Sequence, residues 1–359
     1  MFVAWRDLRF ARGRFALMGT VVVLITLLVG LLSGLTAGLA RENTSAVTGL
    51  KADRLAFAAP PDGQSESFTN STVEKSAWDA WAGLPGVTAA EPLGIRTLNA
   101  GTADGDRTAA VSAFGAEPHG GLAPRGVGTG RAVLSEKAAA DLGAGIGDTV
   151  LLGAAEVTVD AVRGNASYSH TPVVWTSLAD WQRIGGTGDQ ATVVALTTAP
   201  GADLAAGDEA AGTSTLTLEG SLAAIGSYQA ENGSLQLMRA ALFAISALVT
   251  GAFFTVWTIQ RSGDVAVLKA LGASTPYLLR DALGQAVVML VVGTGTGTAL
   301  TAGIGALVGG PGGTVPFVLD ASTVLVPAAV MTALGVLGAA LSIRRITAVD
   351  PLTALGSVR

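Results

Sequence analysis

Four long apolar segments divide the chain. Residues 15–40, 240–260, 282–319 and 321–343 contain no charged side chain. A helix needs about 20 apolar residues to cross the hydrocarbon core of a bilayer, so each segment is long enough for one span. The third segment has room for a Gly/Pro-rich exit around residues 309–313. The pattern predicts one transmembrane helix, a large intervening region and three further transmembrane helices.

The intervening region, residues 41–239, has the composition of an ordinary soluble domain. Runs rich in β-branched residues and bounded by turn residues predict strands, while short apolar-periodic runs predict helices. Ser135 is a plausible N-cap, and the Gly- and Asp-rich residues 101–107 predict a turn. We therefore expect a large mixed α/β domain, with strands at 149–152, 157–162 and 192–198 and helices at 135–142 and 177–184.

The charge distribution orients these spans. Only 14% of the residues are charged and the net charge is -5, but the signs are separated along the chain. Ten basic and four acidic residues lie in the segments before the first span, between the second and third, and after the fourth. Since Lys and Arg concentrate on the cytoplasmic side, both termini are predicted to be cytoplasmic and the large domain extracellular, in a multi-pass protein of the cell membrane. The expected organisation is an N-terminal amphipathic helix at 1–14, a span at 15–40, the outer domain at 41–239, three spans within 240–343 and a tail at 344–359.

Composition excludes several kinds of chemistry. The chain has no Cys and only two His, and neither suggests a structural metal site. None of its four Lys follows a Gly, so no Walker A loop is present. No nucleophile and base are paired in the sequence, and the net charge does not indicate a nucleic-acid partner. The chain is predicted to be no enzyme, and any ATP would be hydrolysed by a partner subunit.

The connection between the second and third spans, residues 260–274, can form a short amphipathic helix. Val265, Leu268 and Leu271 recur every three residues and share one side, with Lys269 among the surrounding charges. Such a helix can insert into a groove of a partner protein. The alternative is a solvated connector whose apolar side rests on the membrane surface.

Three stretches resemble a known family. AVLKALGAS in this connection resembles the cytoplasmic signature of FtsX-like permeases of ABC transporters, and RRITAVDPLTAL at 344–355 resembles the end of that module. GRAVLSEKAAADLGAGIGDTV at 130–150 is similar to the extracellular core of MacB-like permeases. The resemblance implies a homodimer or heterodimer of permeases, of which we expect the homodimer, with two ATPase subunits that act on Val265, Leu268, Lys269 and Leu271. It also implies transmission of force to the outer domain.

Two shorter stretches resemble HrtB-type haem-exporter permeases: LSGLTAGLARENTSAV at 32–47 and SYQAENGSLQLM at 227–238. This resemblance implies haem as the transported ligand and no intrinsic cofactor. Two alternatives stay open, an exporter of a lipid or amphipathic peptide and an FtsX-like regulator of a cell-wall enzyme.

Several residues near the span ends could hold haem. Tyr and His are known ligands of haem iron, and Arg can pair with a propionate. Each of these residues alone is as readily explained by interfacial anchoring, capping or surface hydrogen bonding. The candidates are Arg41, Glu42, Asn43, Tyr168, His170, Tyr228 and Glu231.

Small residues mark two helix faces. Gly30, Gly34 and Gly38 lie four apart in the first span and so form one flat strip. The strip predicts close helix packing, or alternatively a flat face at a dimer seam on which a planar ligand can lie. The GTGTGT run at 293–298 predicts an interhelical contact, and Met18 predicts packing within the first span.

Overall fold

The computed structural model describes residues 12–260, 262–309 and 315–347. The chain forms two compact units: residues 39–233 make up one, and the residues on either side of this stretch make up the other. We call them the outer domain and the membrane unit. The predicted amphipathic helix at 1–14 and tail at 344–359 lie largely outside the described residues.

The described helices differ greatly in length. The four long ones are apolar enough to cross a membrane, and they confirm the predicted spans in number and order. In chain order the helices are α1 (Arg12–Thr48), α2 (Lys75–Ala82), α3 (Glu136–Leu142), α4 (Leu178–Gly185), α5 (Leu204–Ala211), α6 (Gly226–Gln260), α7 (Ser262–Ala270), α8 (Thr275–Val308) and α9 (Ala321–Thr347).

Two of the membrane helices are longer than the apolar segments that predicted them. α1 continues past residue 40 to Thr48, and α6 begins at Gly226, well before residue 240. Each helix therefore contributes residues to both compact units. The sequence placed these polar extensions in the outer domain without indicating that they continue the helices.

Within the membrane unit, α1 and α8 pack closely along small residues. A Cβ built on Gly293 would lie 2.8 Å from Val22 Cγ1, one on Gly297 would lie 2.7 Å from Thr26 Cβ, and one on Gly30 would lie 2.5 Å from Thr301 Oγ1. Residue numbers rise together on both helices, so α1 and α8 run parallel, as expected for the first and third spans of the predicted topology. The interhelical contact predicted for the GTGTGT run is confirmed.

The outer domain is built on one large mixed sheet. Its strand order is β12-β1-β11-β3-β4-β9-β5-β7-β6, and β6 also pairs with the far end of the long strand β3, so the pairing path returns to β3. Most pairs are antiparallel, whereas β4–β9 and β5–β7 are parallel. The strands are β1 (Arg54–Ala58), β2 (Val73–Glu74), β3 (Val87–Thr102), β4 (Thr108–Ala116), β5 (Arg131–Leu134), β6 (Thr149–Leu152), β7 (Ala155–Val162), β8 (Ser167–Tyr168), β9 (Thr171–Ser177), β10 (Gln190–Ala191), β11 (Val193–Thr198) and β12 (Thr213–Thr217).

Two short helices of the outer domain, α3 and α4, lie within one residue of their predicted bounds and are capped at both ends. Ser135 caps α3 by accepting a hydrogen bond from Ala138 N, and Ser177 caps α4 by accepting one from Asp180 N. Gly143 and Gly186 follow the two helices in left-handed conformation, which glycine adopts without a steric penalty. These caps fix α4 beside β3 and β4, against which its Trp181 is buried.

Candidate functional site

Five of the seven predicted ligand-binding residues belong to two neighbouring elements of the outer domain. Arg41, Glu42 and Asn43 lie in the last turns of α1, and Tyr228 and Glu231 lie in the first turns of α6, where Ser227 joins them. The spacing of Ser227 and Glu231 places them on one side of α6. Polar side chains from both helix ends meet in one cluster, which we call the polar cluster.

The turn between β8 and β9 completes the polar cluster. Ser169 N donates to Asn43 O at 3.1 Å and His170 N donates to Glu42 O at 3.3 Å, so the turn is docked on the end of α1. Ser169 and His170 both have positive φ angles, 49° and 64°. Non-glycine residues rarely adopt this conformation, and such strain is retained where surrounding contacts hold it.

His170 lies between two carboxylates. Its Nε2 is 2.9 Å and 3.0 Å from the two carboxylate oxygens of Glu231, and its Nδ1 is 3.6 Å from Glu42 Oε2. When Nε2 carries a proton it donates to Glu231, while the other ring nitrogen faces Glu42. The imidazole is about 31% exposed, so a ligand can reach it.

Further hydrogen bonds hold the carboxylates in place. Asn43, almost fully buried, donates from Nδ2 to Glu231 Oε2 at 3.0 Å and accepts at Oδ1 from Ser227 Oγ at 2.6 Å. Lys137 on α3 forms an ion pair with Glu42 at 3.1 Å. The polar cluster therefore joins α1, α3, α6 and the β8–β9 turn, and it presents one imidazole, two carboxylates and one ammonium group.

Tyr168 lies next to the polar cluster in sequence but faces the domain core. Its ring packs edge-on against Phe68 and Phe114, each with ring centroids 5.7 Å away. Burial raises the pKa of the Tyr168 phenol far above its usual range. Haem iron is bound by tyrosinate, so this position disfavours the predicted ligand role.

Tyr228 and Arg41 make none of the hydrogen bonds described for the polar cluster. Tyr228 is half-buried and packs against the aromatic core that contains Tyr168, and Arg41 is exposed. His119 is exposed in a separate loop. Among the described residues no group of three or more His, Asp or Glu side chains is arranged to hold a metal ion.

The glycine strip of α1 is covered within the membrane unit. A Cβ on Gly34 would overlap the Phe317 ring, and one on Gly38 would overlap Pro316 O. With Gly30 against Thr301, the whole strip is occupied by the chain itself. Close packing accounts for the three glycines, and a planar ligand could lie on this face only after residues 316 and 317 moved.

The predicted coupling segment contains the short helix α7. Leu268 and Lys269 are partly exposed and Leu271, just after the helix, is 80% exposed. Val265 lies on the helix, and its side chain is outside the described part of the structure. An apolar side chain as exposed as Leu271 is available to a partner.

Sequence reasoning did not identify Lys137, Ser169 or Ser227 as members of the polar cluster. Lys137 is 95 positions away from Glu42, and only the tertiary fold brings α3 to the end of α1. A Ser-Tyr-Ser-His string gives no indication of a strained turn. The left-handed conformation of Ser169 and His170 is imposed by docking on α1, so no local pattern could have revealed it.

Comparison with known proteins gives two family matches. The family model of the MacB-like periplasmic core domain matches residues 16–214, and that of the FtsX-like permease C-terminal domain matches residues 237–351. Two solved structures, the extracellular domain of the ABC-type transporter YknZ and the periplasmic region of MacB from Actinobacillus actinomycetemcomitans, cover 46% and 48% of this chain at 12% and 10% identity. Their TM-scores are 0.34 and 0.35, so family membership rests on the sequence matches.

Curated relatives match over almost their whole length. A Staphylococcus epidermidis protein named as a hemin transport system permease, HrtB, is 26% identical over 99% of both chains. Its namesake from Staphylococcus haemolyticus is 26% identical over 100% of both. An uncharacterised ABC transporter permease of Mycobacterium tuberculosis is also 26% identical, over 99% of both chains.

Proposed function

The chain belongs to the MacB- and FtsX-like permeases of ABC transporters, and on that premise we propose that it exports haem from the membrane. It is a multi-pass permease subunit and not itself the ATPase, since permeases of this family work with a separate ATPase subunit. The names of its staphylococcal relatives support hemin as the transported compound.

The polar cluster is the observation that carries the haem proposal. His170 offers an imidazole, which is an established axial ligand of haem iron, and a carboxylate neighbour can accept a hydrogen bond from the ring nitrogen that does not bind the iron, which orients the ring. Lys137 and the exposed Arg41 supply cations for propionate groups. Asn43 holds Glu231 and thereby the orientation of His170.

Continuous helices offer a route from ATP hydrolysis to this cluster. α1 and α6 each contain an apolar span and also the residues that build the cluster. A shift of either span along its axis would move Glu42 and Asn43 against Ser227 and Glu231. We propose that two ATPase subunits act on α7 in a homodimer of permeases and release the ligand outward by this movement.

A haem titration tests the proposal. The full chain in lipid nanodiscs, titrated with hemin, should show a saturable Soret shift, and His170→Ala and Glu231→Gln should weaken it. His119→Ala is the matched control, because His119 is the only other His and lies in a separate exposed loop. No saturable Soret shift in the unchanged chain would refute haem as the ligand, and equal effects of both His substitutions would refute the assigned site.

A further inference from the structure

A cavity in the outer domain is lined by residues that the haem proposal does not use. It has a volume of about 340 Å³, at the lower end of the range of small-molecule pockets. Its walls come from the middle of β3, the end of α4, and the segments before β2 and around β10. None of its lining residues is acidic, and one, Arg96, is basic.

Arg96 is held in this wall without a partner for its charge. Its guanidinium lies 5.2 Å from the centre of the Trp181 ring, and a Cβ on Gly185 would overlap its Nη2. The group is therefore clamped between an indole and the backbone of α4. No acidic side chain of the described residues pairs with it, and its buried Nε has no hydrogen-bond partner.

Residues with an unpartnered buried polar atom concentrate around this cavity. Among the described outer-domain residues, four buried side-chain atoms lack a hydrogen bond: Arg96 Nε, Trp181 Nε1, Thr187 Oγ1 and Asp180 Oδ1. Asp180 has an ion-pair partner in Arg183 at 3.0 Å. The other three belong to residues lining the cavity, and a buried donor without an acceptor destabilises the fold because it has lost its hydrogen bonds to water.

Three other polar side chains of the same cavity have hydrogen-bond partners within the fold. Thr97 Oγ1 is 3.0 Å from Ser112 Oγ, Ser71 Oγ donates to Thr192 O at 2.6 Å, and Thr192 Oγ1 donates to Ile95 O at 3.2 Å. What the lining lacks is an anionic group next to Arg96.

We propose that this cavity is a binding site for a small amphipathic organic carboxylate, with Arg96 as its anchor. The planar guanidinium fork matches a carboxylate in bidentate geometry. Phe68, Ile95, Trp181 and Ala191 supply apolar walls for the rest of the ligand. The site is separate from the polar cluster, so it goes beyond the haem proposal and does not depend on it.

The indole of Trp181 provides a local probe. The full chain in nanodiscs is labelled with 5-fluorotryptophan and studied by 19F NMR. The resonance of Trp181 is assigned among those of the six tryptophans by its loss in Trp181→Phe. Phenylacetate is the test ligand, 2-phenylethanol keeps the apolar body without the charge, and inorganic phosphate offers charge without the apolar body. We expect phenylacetate to cause a saturable shift of the Trp181 resonance, and we expect neither 2-phenylethanol nor phosphate to cause one.

Substitutions then assign the shift to Arg96. Arg96→Gln should weaken phenylacetate binding at least tenfold, and Gly185→Ala should weaken it by displacing the guanidinium. Arg163→Gln, which removes an exposed Arg elsewhere in the outer domain, should leave binding unchanged. The other five resonances report whether each variant is folded, and Arg96→Lys replaces the Gln variant if that one unfolds.

Each contrary outcome overturns the proposal. An equal shift with 2-phenylethanol would mean that the cavity is merely apolar. A shift with phosphate but not with phenylacetate would assign the cavity to a different anion class. No shift with phenylacetate, or unchanged binding in the Arg96 variants, would show that Arg96 anchors no carboxylate.

Discussion

At the scale of single residues, glycine has two different roles on α1. A Cβ on Gly19 would meet no neighbouring atom within 4 Å, whereas a Cβ on Gly38 would overlap the backbone carbonyl of Pro316. The sequence shows both as small residues in an apolar helix and does not distinguish them. Only the contact with residue 316 shows which of them the fold requires.

This difference predicts opposite effects of the same substitution. Gly38→Ala should destabilise the membrane unit by about 1–3 kcal/mol, because a side chain there overlaps Pro316 O. Gly19→Ala should be neutral or stabilising by up to about 1 kcal/mol, as expected from helix propensity. Thermal unfolding of the detergent-solubilised variants measures both, and equal midpoints would contradict the close packing of α1.

Tyr168 allows a similar separation of packing from chemistry. Its ring is part of the aromatic core, and burial raises the pKa of its phenol. Because the phenol stays protonated at neutral pH, Tyr168→Phe should leave the hemin Soret titration unchanged. Tyr168→Ala should cost about 3–5 kcal/mol of stability, by analogy with other large-to-small core substitutions. Loss of the Soret shift in Tyr168→Phe would instead assign Tyr168 as a ligand.

At the scale of elements, the sequence predicted what local patterns encode. The strand at 149–152 agrees with its predicted bounds, and the cap of α3 is the predicted Ser135. The cap of α4 by Ser177 was not predicted. The closure of the sheet through β3 and β6 could not be predicted, because it depends on pairing between residues about 50 positions apart. The extensions of α1 and α6 were missed for a related reason. Their polar residues are compatible with helix or loop, and tertiary contacts decide.

The polar cluster follows the same division. Glu42, Asn43, His170 and Glu231 were selected for their chemistry and their place near the span ends, and the structure brings them together. Lys137 was not selected, since its proximity depends on the position of α3. Tyr168 was predicted as a ligand. Its strand β8 has only two residues, so no alternating pattern indicates that the side chain faces the core.

The short helix α7, which we call the coupling helix, leads to a prediction about stimulation of the ATPase subunit. If the apolar side chains of α7 and of Leu271 just after it insert into the ATPase subunit, Leu268→Asp should abolish stimulation of ATP hydrolysis by the permease. Leu268→Met, which keeps the position apolar, should preserve it. ATP hydrolysis by the reconstituted complex measures both variants, and full stimulation with Leu268→Asp would refute docking through this helix.

At the scale of the whole molecule, the separation of charge and the parallel packing of α1 with α8 lead to one topology. Parallel helices enter the bilayer from the same side, so the segments before α1 and α8 share a compartment. Those segments carry the basic excess, which favours the cytoplasm. The outer domain, which follows α1, is therefore predicted to be extracellular.

The absence of Cys makes this orientation directly measurable, because a single introduced Cys is the only thiol in the chain. Ile146→Cys in the outer domain and Leu271→Cys after α7 are suitable sites, since the native side chains are 71% and 80% exposed. A membrane-impermeant maleimide should label Ile146→Cys in intact cells and Leu271→Cys only after permeabilisation. If Leu271→Cys were labelled first, the coupling helix would lie on the side without ATP, and both the topology and the proposed route of force would be wrong.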